Sequence, residues 1–211
     1  WLKYPNAQVI IFDKDRSARA ATMAAGGRYY EPGNEDAAVA FQPLAQIDRE
    51  GERNWALRYV CDMLELQNLT LTHAITQEVE GALRSLADAP PEQRTLTGLH
   101  ALCQNADIRD ALHLYTLSGA YGQLFDADQD ELKSSFWLMF EMTHVMEMGE
   151  QVVIPTLSYL FHRIEKRFDG RPTLLVLDEC WLFLRHGIFA SRLQSWLKTL
   201  RKRNVYVVFA T

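Results

Sequence analysis

Cysteine is scarce, with three in 211 residues, Cys61, Cys103 and Cys180. They lie far apart and form no C-x-x-C pair, which supports neither a zinc ribbon nor a disulfide framework and fits a reducing, cytoplasmic setting. Long apolar runs are missing too. The longest, Val205 to Ala210, has six residues, against the roughly 18 to 20 that cross a bilayer, so no lipid-spanning segment is expected in this chain. No Gly is followed by Lys, which removes the phosphate-cradling loop G-x-x-x-x-G-K-[ST]. The six histidines show no H-E-x-x-H or similar two-histidine spacing, and none is assigned to a metal. An initiator Met and a secretory leader are absent from the start, Trp-Leu-Lys-Tyr-Pro, and the last apolar run has no element after it; both ends read as cuts from something longer.

What is present is an ordinary globular composition. Hydrophobic residues make up 48%, aromatics 11% and charged residues 23%, which excludes a disordered, collagenous or coiled-coil chain. The net charge of −5 is unevenly spread. Arg163 to Arg203 carries ten Lys/Arg against four Asp/Glu, whereas Trp1 to His162 carries twelve against twenty-three. A basic face beside an acidic one suits phosphates, nucleic acid or another subunit's acidic surface, and a solvated helix face gives the same pattern.

Three continuous apolar runs set the fold class. Gln8 to Asp13, Thr173 to Asp178 and Val205 to Ala210 read as strands buried on both faces, and Phe136 to Met142 as a fourth, rich in aromatics. Arg28 to Tyr30 reads as a short strand. Helices are expected at Ala18 to Ala25, capped by Ser17 and closed by Gly26-Gly27, at Gln151 to Phe168 and at Phe189 to Arg201. Between Glu52 and Gln129 apolar residues fall at helical spacing, with a break at Pro90-Pro91, a helix at Asp107 to Tyr115 and a turn at Gly119 to Gly122. The alternation of apolar strands with helices predicts an α/β fold with a mostly parallel sheet covered by helices. The expected division is 1–50 as the first portion of this core, 51–132 as an all-helical insertion and 133–211 as the remainder of the core.

In open parallel sheets, sites form at the carboxyl ends of strands. That rule singles out Asp13, Asp178, Glu179 and Thr211. Four apolar residues followed by Asp-Glu suit a Walker-B position: Asp178 would hold Mg2+ beside nucleotide phosphates, and Glu179 would polarise the attacking water as a general base. A strand that simply ends in a charged loop yields the same residues. Lys198, Arg201, Lys202 and Arg203 lie on one expected helix and its exit, suited to phosphate contacts or an arginine finger, or to covering apolar surface with their stems. Asp13 to Arg16 reads equally as a loop salt-bridge network or as a portion of a site.

Several segments carry a resemblance to a known family. They are Val9-Ile-Ile-Phe-Asp-Lys-Asp-Arg-Ser17, Gly26-Gly-Arg-Tyr-Tyr30, Phe41-Gln-Pro-Leu-Ala45, Gly119-Ala-Tyr-Gly-Gln-Leu-Phe-Asp126, Phe140-Glu-Met142, Tyr159-Leu-Phe-His-Arg-Ile-Glu165, Leu174-Leu-Val-Leu-Asp-Glu-Cys-Trp181 and Trp196-Leu-Lys-Thr-Leu-Arg-Lys202. In this order they span the whole chain. The sequence resembles the conjugative-transfer and type IV secretion ATPases of the TrbE, CagE and VirB type, most closely the TrbE branch.

The resemblance implies a RecA-like P-loop NTPase core with a helical insertion. The implied activity is hydrolysis of ATP with Mg2+ to power pilus assembly and substrate transfer at the bacterial inner membrane, where the protein would be cytoplasmic and peripheral. Other type IV secretion components, a ring of identical subunits and DNA are the implied partners. On the same resemblance Asp178 is the magnesium ligand, through water, and Glu179 the catalytic carboxylate. Arg201 matches a basic position near a subunit interface, and Thr211 the residue before a Gln that senses the terminal phosphate. The family's P-loop lies shortly before Trp1, so the chain alone is expected to be inactive. Two alternatives stay open: a related DNA-translocating ring ATPase, favoured by the basic segment, and a non-enzymatic interaction module, favoured by the missing P-loop and the acidic portion.

Overall fold

The computed structural model describes residues 1–211 except 2, 5, 35, 37, 38, 180–195 and 211, and the side chain of Arg201. The chain divides into two compact units. One comprises Trp1–Ala37, Lys133–Gly149 and Thr156–Thr211, the other Ala38–Leu132 and Glu150–Pro155.

The first unit is built on five parallel strands: β1 (Gln8–Asp13), β2 (Arg28–Tyr30), β3 (Trp137–Glu141), β4 (Thr173–Leu177) and β5 (Val205–Phe209). Their order across the sheet is β2-β3-β1-β4-β5. β1 is central, buried at every position. Its side chains alternate between two layers, as strand geometry requires. Val9 and Ile11 meet Met139 on one face, with Tyr29, Trp137, Leu174 and Val176 packed around them. On the other face Phe12 stacks on Phe161 at 4.8 Å between ring centres and lies 5.2 Å from Phe140. Register is set by the same residues: Phe12 lies opposite Phe140 in β3 and Leu177 in β4.

The helix α1 (Arg19–Ala24) follows β1. Its N-terminal residue is Ala18, with no side-chain cap; the Ser17 hydroxyl donates instead to the Asp13 carboxylate. The expected Ser17 cap is therefore not formed: the helix starts one residue later, with Ala18 at the cap position, where no side chain can accept from the first turn. At the other end of α1, Gly27 runs so close to β3 that a Cβ there would sit 2.8 Å from the Trp137 ring.

The second unit holds α2 (Glu50–Leu66), α3 (His73–Leu86), α4 (Leu96–Leu102), α5 (Ala106–His113) and α6 (Gly122–Phe125). Local chemistry defines the helix starts. Thr72 accepts from the Ile75 N–H, Thr95 from Gly98, and Asn105 from Asp107 and Ile108, each meeting one or two of the N–H groups a helix start leaves open. The Pro90-Pro91 break becomes a short 3-10 turn, Pro91–Gln93. Tyr59, Leu64, Val79, Leu83, Leu99, Ile108, Leu112 and Phe125 form its buried interior.

Two further helices precede β4. The short α7 (Thr143–Glu147) was not anticipated, since five residues carry too little periodicity to register. The helix α8 (Glu150–Glu165) starts one residue before the expected Gln151 and ends short of Phe168. Before β5, residues 196–200 are helical and Arg201–Arg203 forms a 3-10 turn; 189–195 of the expected helix lie outside the described residues. β5 departs from the expected double-sided burial: among the described residues it is the sheet's outer strand, with Tyr206, Val208 and Phe209 exposed. No described helix is long and apolar enough to cross a membrane.

Candidate functional site

Because all five strands run parallel, their carboxyl ends share one edge of the sheet, and each inner strand delivers an acid there. Asp13 ends β1, Glu141 ends β3, and Asp178 and Glu179 follow β4. Asp13 and Glu141 are directly opposite in the ladder. On the other flank the Asp178 N–H donates to the Phe12 carbonyl at 2.9 Å, extending the β1–β4 pairing by one residue.

The Asp178–Glu179 step is a tight turn. Glu179 has φ 50°, in the left-handed region that costs a non-glycine residue about 1–2 kcal/mol. Its N–H donates to Asp178 Oδ1 at 3.1 Å, which orients the Asp178 carboxylate. Both residues are half-buried.

Asp13 is almost fully buried and directed into its own loop. Its oxygens accept from the Ser17 hydroxyl and, at 3.2 Å, from the Ala18 N–H. The loop between them contains two consecutive left-handed residues, Asp15 (φ 63°) and Arg16 (φ 61°). Glu141, fully buried, supports that loop: it accepts from the Arg16 N–H at 2.7 Å, from the Thr143 N–H at 3.0 Å and from the Thr143 hydroxyl. The Asp15 N–H donates to Thr143 Oγ1 at 3.1 Å.

A third buried acid, Glu31 just after β2, takes the Arg16 side chain. It accepts from Arg16 Nε at 2.8 Å, from the Tyr29 hydroxyl and from Asn34 Nδ2. Burial pushes the Glu31 carboxyl up, but these hydrogen bonds and the Arg16 charge outweigh it and hold it below the usual glutamate value. Burial also raises the Tyr29 phenol, aided by Glu31.

Lys14 is the first residue after β1. Its ammonium lies 3.1 Å from Asp15 Oδ2 and keeps about a third of its side-chain surface exposed, 32%. The Asp15 contact raises it above lysine's ordinary value, with Glu179 and Glu141 adding to the same effect.

The structure thus brings together Asp13, Asp178 and Glu179. Of the basic set, Arg201 lies in the 3-10 turn before β5, Lys198 and Lys202 are exposed, and Arg203 is held by Glu165 at 3.5 Å. Thr211 lies outside the described residues. Glu141 and Glu31 were not singled out from the sequence, whereas Lys14 fell within the Asp13 to Arg16 cluster. Glu141 had a readable signal, an acid closing an apolar strand like Asp13 and Asp178; Glu31 follows a three-residue strand and had none.

Asp178 suits magnesium by its chemistry, as an oriented, hard carboxylate oxygen on a rigid strand end. Among the described residues no group of three or more His, Cys, Asp or Glu is arranged to hold a metal ion.

The fold places the chain first among parallel α/β proteins of one kind. It superposes on the structure of VirB4 of Thermoanaerobacter pseudethanolicus with a TM-score of 0.72, over 97% of this chain and 62% of that one, at 18% identity. Sequence relatives are closer. The chain is 40% identical over 213 residues to a probable conjugal transfer protein TrbE of Sinorhizobium fredii, covering 99% of this chain and 32% of that protein. It is 37% identical to the conjugal transfer protein TrbE of Rhizobium radiobacter, over 99% of this chain and 26% of that protein. It is 31% identical to the type IV secretion system protein virB4 of Bartonella henselae, over 100% and 27% respectively. The chain is therefore similar, over nearly its whole length, to TrbE and VirB4 proteins of conjugal transfer and type IV secretion systems, and it spans about a third or less of the length of these curated relatives. No protein-family model matches it.

Proposed function

We propose that this segment belongs to the ATPase motor of a conjugal transfer or type IV secretion system, with residues 51–132 inserted as a helical block between two portions of a RecA-like core. The observation that carries the reading is the Asp178–Glu179 turn at the end of β4, with Glu179 in the left-handed region, at the edge where parallel sheets bind ligands. The similarity to TrbE and VirB4 proteins supports it.

In this reading Asp178 holds Mg2+ through water, and the ion when bound neutralises charge on the phosphates. Glu179 takes the proton of the water that attacks the terminal phosphorus. Asp13 acts from beneath, fixing the loop that borders the nucleotide. Arg201 is then a basic residue near the interface with a neighbouring subunit of a ring, and Thr211 the residue before a Gln that senses the terminal phosphate. The phosphate cradle itself comes from sequence outside these residues, since no Gly here is followed by Lys. Other secretion components are the partners, at the cytoplasmic face of the inner membrane.

The test is Glu179→Gln in the longest natural chain that carries these residues. ATP turnover should fall about 10²- to 10⁴-fold, the usual worth of a general base, while nucleotide binding persists. Normal turnover by the variant would remove Glu179 from the mechanism.

A further inference from the structure

The loop after β1 is held far more tightly than a connection between a strand and a helix needs. Three buried carboxylates from three different strand ends converge on five residues. Asp13 accepts from Ser17 and Ala18, Glu141 from the Arg16 main chain, and Glu31 from the Arg16 side chain. Burying a carboxylate is costly unless its oxygens are satisfied, so this arrangement spends three acids on one backbone shape. The shape is itself costly, with two successive left-handed residues, neither of them glycine. Strain of this kind persists where the surroundings over-determine it and clusters at functional sites.

The first residue of that loop is Lys14. In the β1–β4 ladder Phe12 pairs with Leu177, and the Asp178 N–H donates to the Phe12 carbonyl; Lys14 and Glu179 are the residues that follow Asp13 and Asp178 at these two adjoining strand ends. Its ammonium feels Glu179 and Glu141 as well as Asp15, and its side chain remains accessible. A lysine so placed has three donors to offer an anion arriving between the ends of β1 and β4.

We propose that Lys14 contacts the terminal phosphate of the bound nucleotide, and that Glu141 is the positioning residue that delivers it by clamping the Arg16 main chain. The inference rests on the reading of Asp178 and Glu179 given above. If Glu179 serves the water that attacks the terminal phosphorus, a cation at the adjoining strand end, within the field of Glu179, lies at the terminal-phosphate end of the nucleotide and not at its diphosphate end. Lys14 is then a discriminator of triphosphate from diphosphate. A simple ion pair with Asp15 would leave it indifferent to both.

The experiment measures equilibrium binding of fluorescent mant-ATP and mant-ADP, each with Mg2+, to the longest natural chain, in a Glu179→Gln background that prevents turnover. Lys14→Met should weaken mant-ATP about tenfold and leave mant-ADP unchanged, and Lys14→Arg should retain most of the ATP affinity. Glu141→Ala should reproduce the selective loss; retained ADP binding shows that the variant is folded, and Glu141→Gln, which keeps one acceptor, should lie between. Equal mant-ATP binding by Lys14→Met and its parent, or equal loss of both nucleotides, overturns the proposal. If Glu179→Gln alone hydrolyses ATP at the normal rate, the underlying site reading fails and the Lys14 assignment falls with it, an outcome distinct from the binding results.

Discussion

The main-chain N–H of Arg16 donates to the Glu141 carboxylate at 2.7 Å, joining the loop after β1 to the end of β3 across 125 residues of sequence. Around this bond the loop takes a conformation that side chains other than glycine resist, which makes its energetics open to test residue by residue.

Asp15 has φ 63° and its side chain is exposed, 71%. Asp15→Gly should leave stability unchanged or raise it, because glycine adopts this region without a steric penalty. Asp15→Val should cost about 1–2 kcal/mol, since a β-branched residue tolerates the left-handed region least. Urea denaturation of the two variants beside the parent gives the comparison, and equal stabilities for Gly and Val would show that the loop relaxes freely.

Glu31 supplies a pH dependence with a definite sign. Its folded carboxyl is held below the unfolded value by Tyr29, Asn34 and Arg16, so its contribution to stability is complete above the ordinary glutamate range. It is lost as pH falls through the lowered folded value. The difference in melting temperature between the parent and Glu31→Gln should therefore be largest near neutrality and shrink below about pH 4. A difference that grows on acidification would contradict the hydrogen-bond arrangement.

Gly122 opens α6 where the chain folds back on itself. A Cβ there would sit 2.0 Å from the Thr116 carbonyl oxygen, a backbone atom with no flexible end to move. Gly122→Ala should destabilise the helical unit by about 1–3 kcal/mol, the usual cost of forcing extra volume into a packed site. Differential scanning calorimetry would register it as a lowered transition, whereas Gly81→Ala, where nothing lies within 4 Å, should be neutral or stabilising through helix propensity.

Cys61 and Cys103 are buried, and burial pushes both thiols up to about 11. The thiolate is the reactive form, so iodoacetamide near neutral pH should leave both unmodified in the native protein and label both in urea, as read by peptide mass spectrometry. Rapid native labelling of either would mean that the packing around it opens readily.

Much of the architecture was legible in the sequence. Gln8–Asp13, Thr173–Leu177 and Trp137–Glu141 announced themselves because strands in the middle of a parallel sheet are apolar on both faces, leaving continuous runs. The helical block was equally readable: α3 presents Ile75, Val79, Ala82, Leu83 and Leu86 to its interior at the expected spacing. Asp13, Asp178 and Glu179 followed from position alone, as acids at the ends of such runs. Charge patterning was less informative. Of the basic segment, Arg167 reaches the Ser135 carbonyl, Arg171 pairs with Asp169 and Arg203 with Glu165, so some of that charge holds the fold together.

Local sequence thus determined which stretches become strands or helices and which acids close them, because apolar periodicity and capping act over a few residues. Only the tertiary structure decided the order β2-β3-β1-β4-β5, since three of the four parallel pairings join segments more than a hundred residues apart and leave no mark on either alone. It also decided what each acid does. Ser17 serves Asp13 and not a helix end, Glu141 and Glu31 turn inward to hold Arg16, and Glu179 stays at the accessible edge. Four carboxylates of similar intrinsic chemistry are separated by burial and by the donors that the fold brings to each.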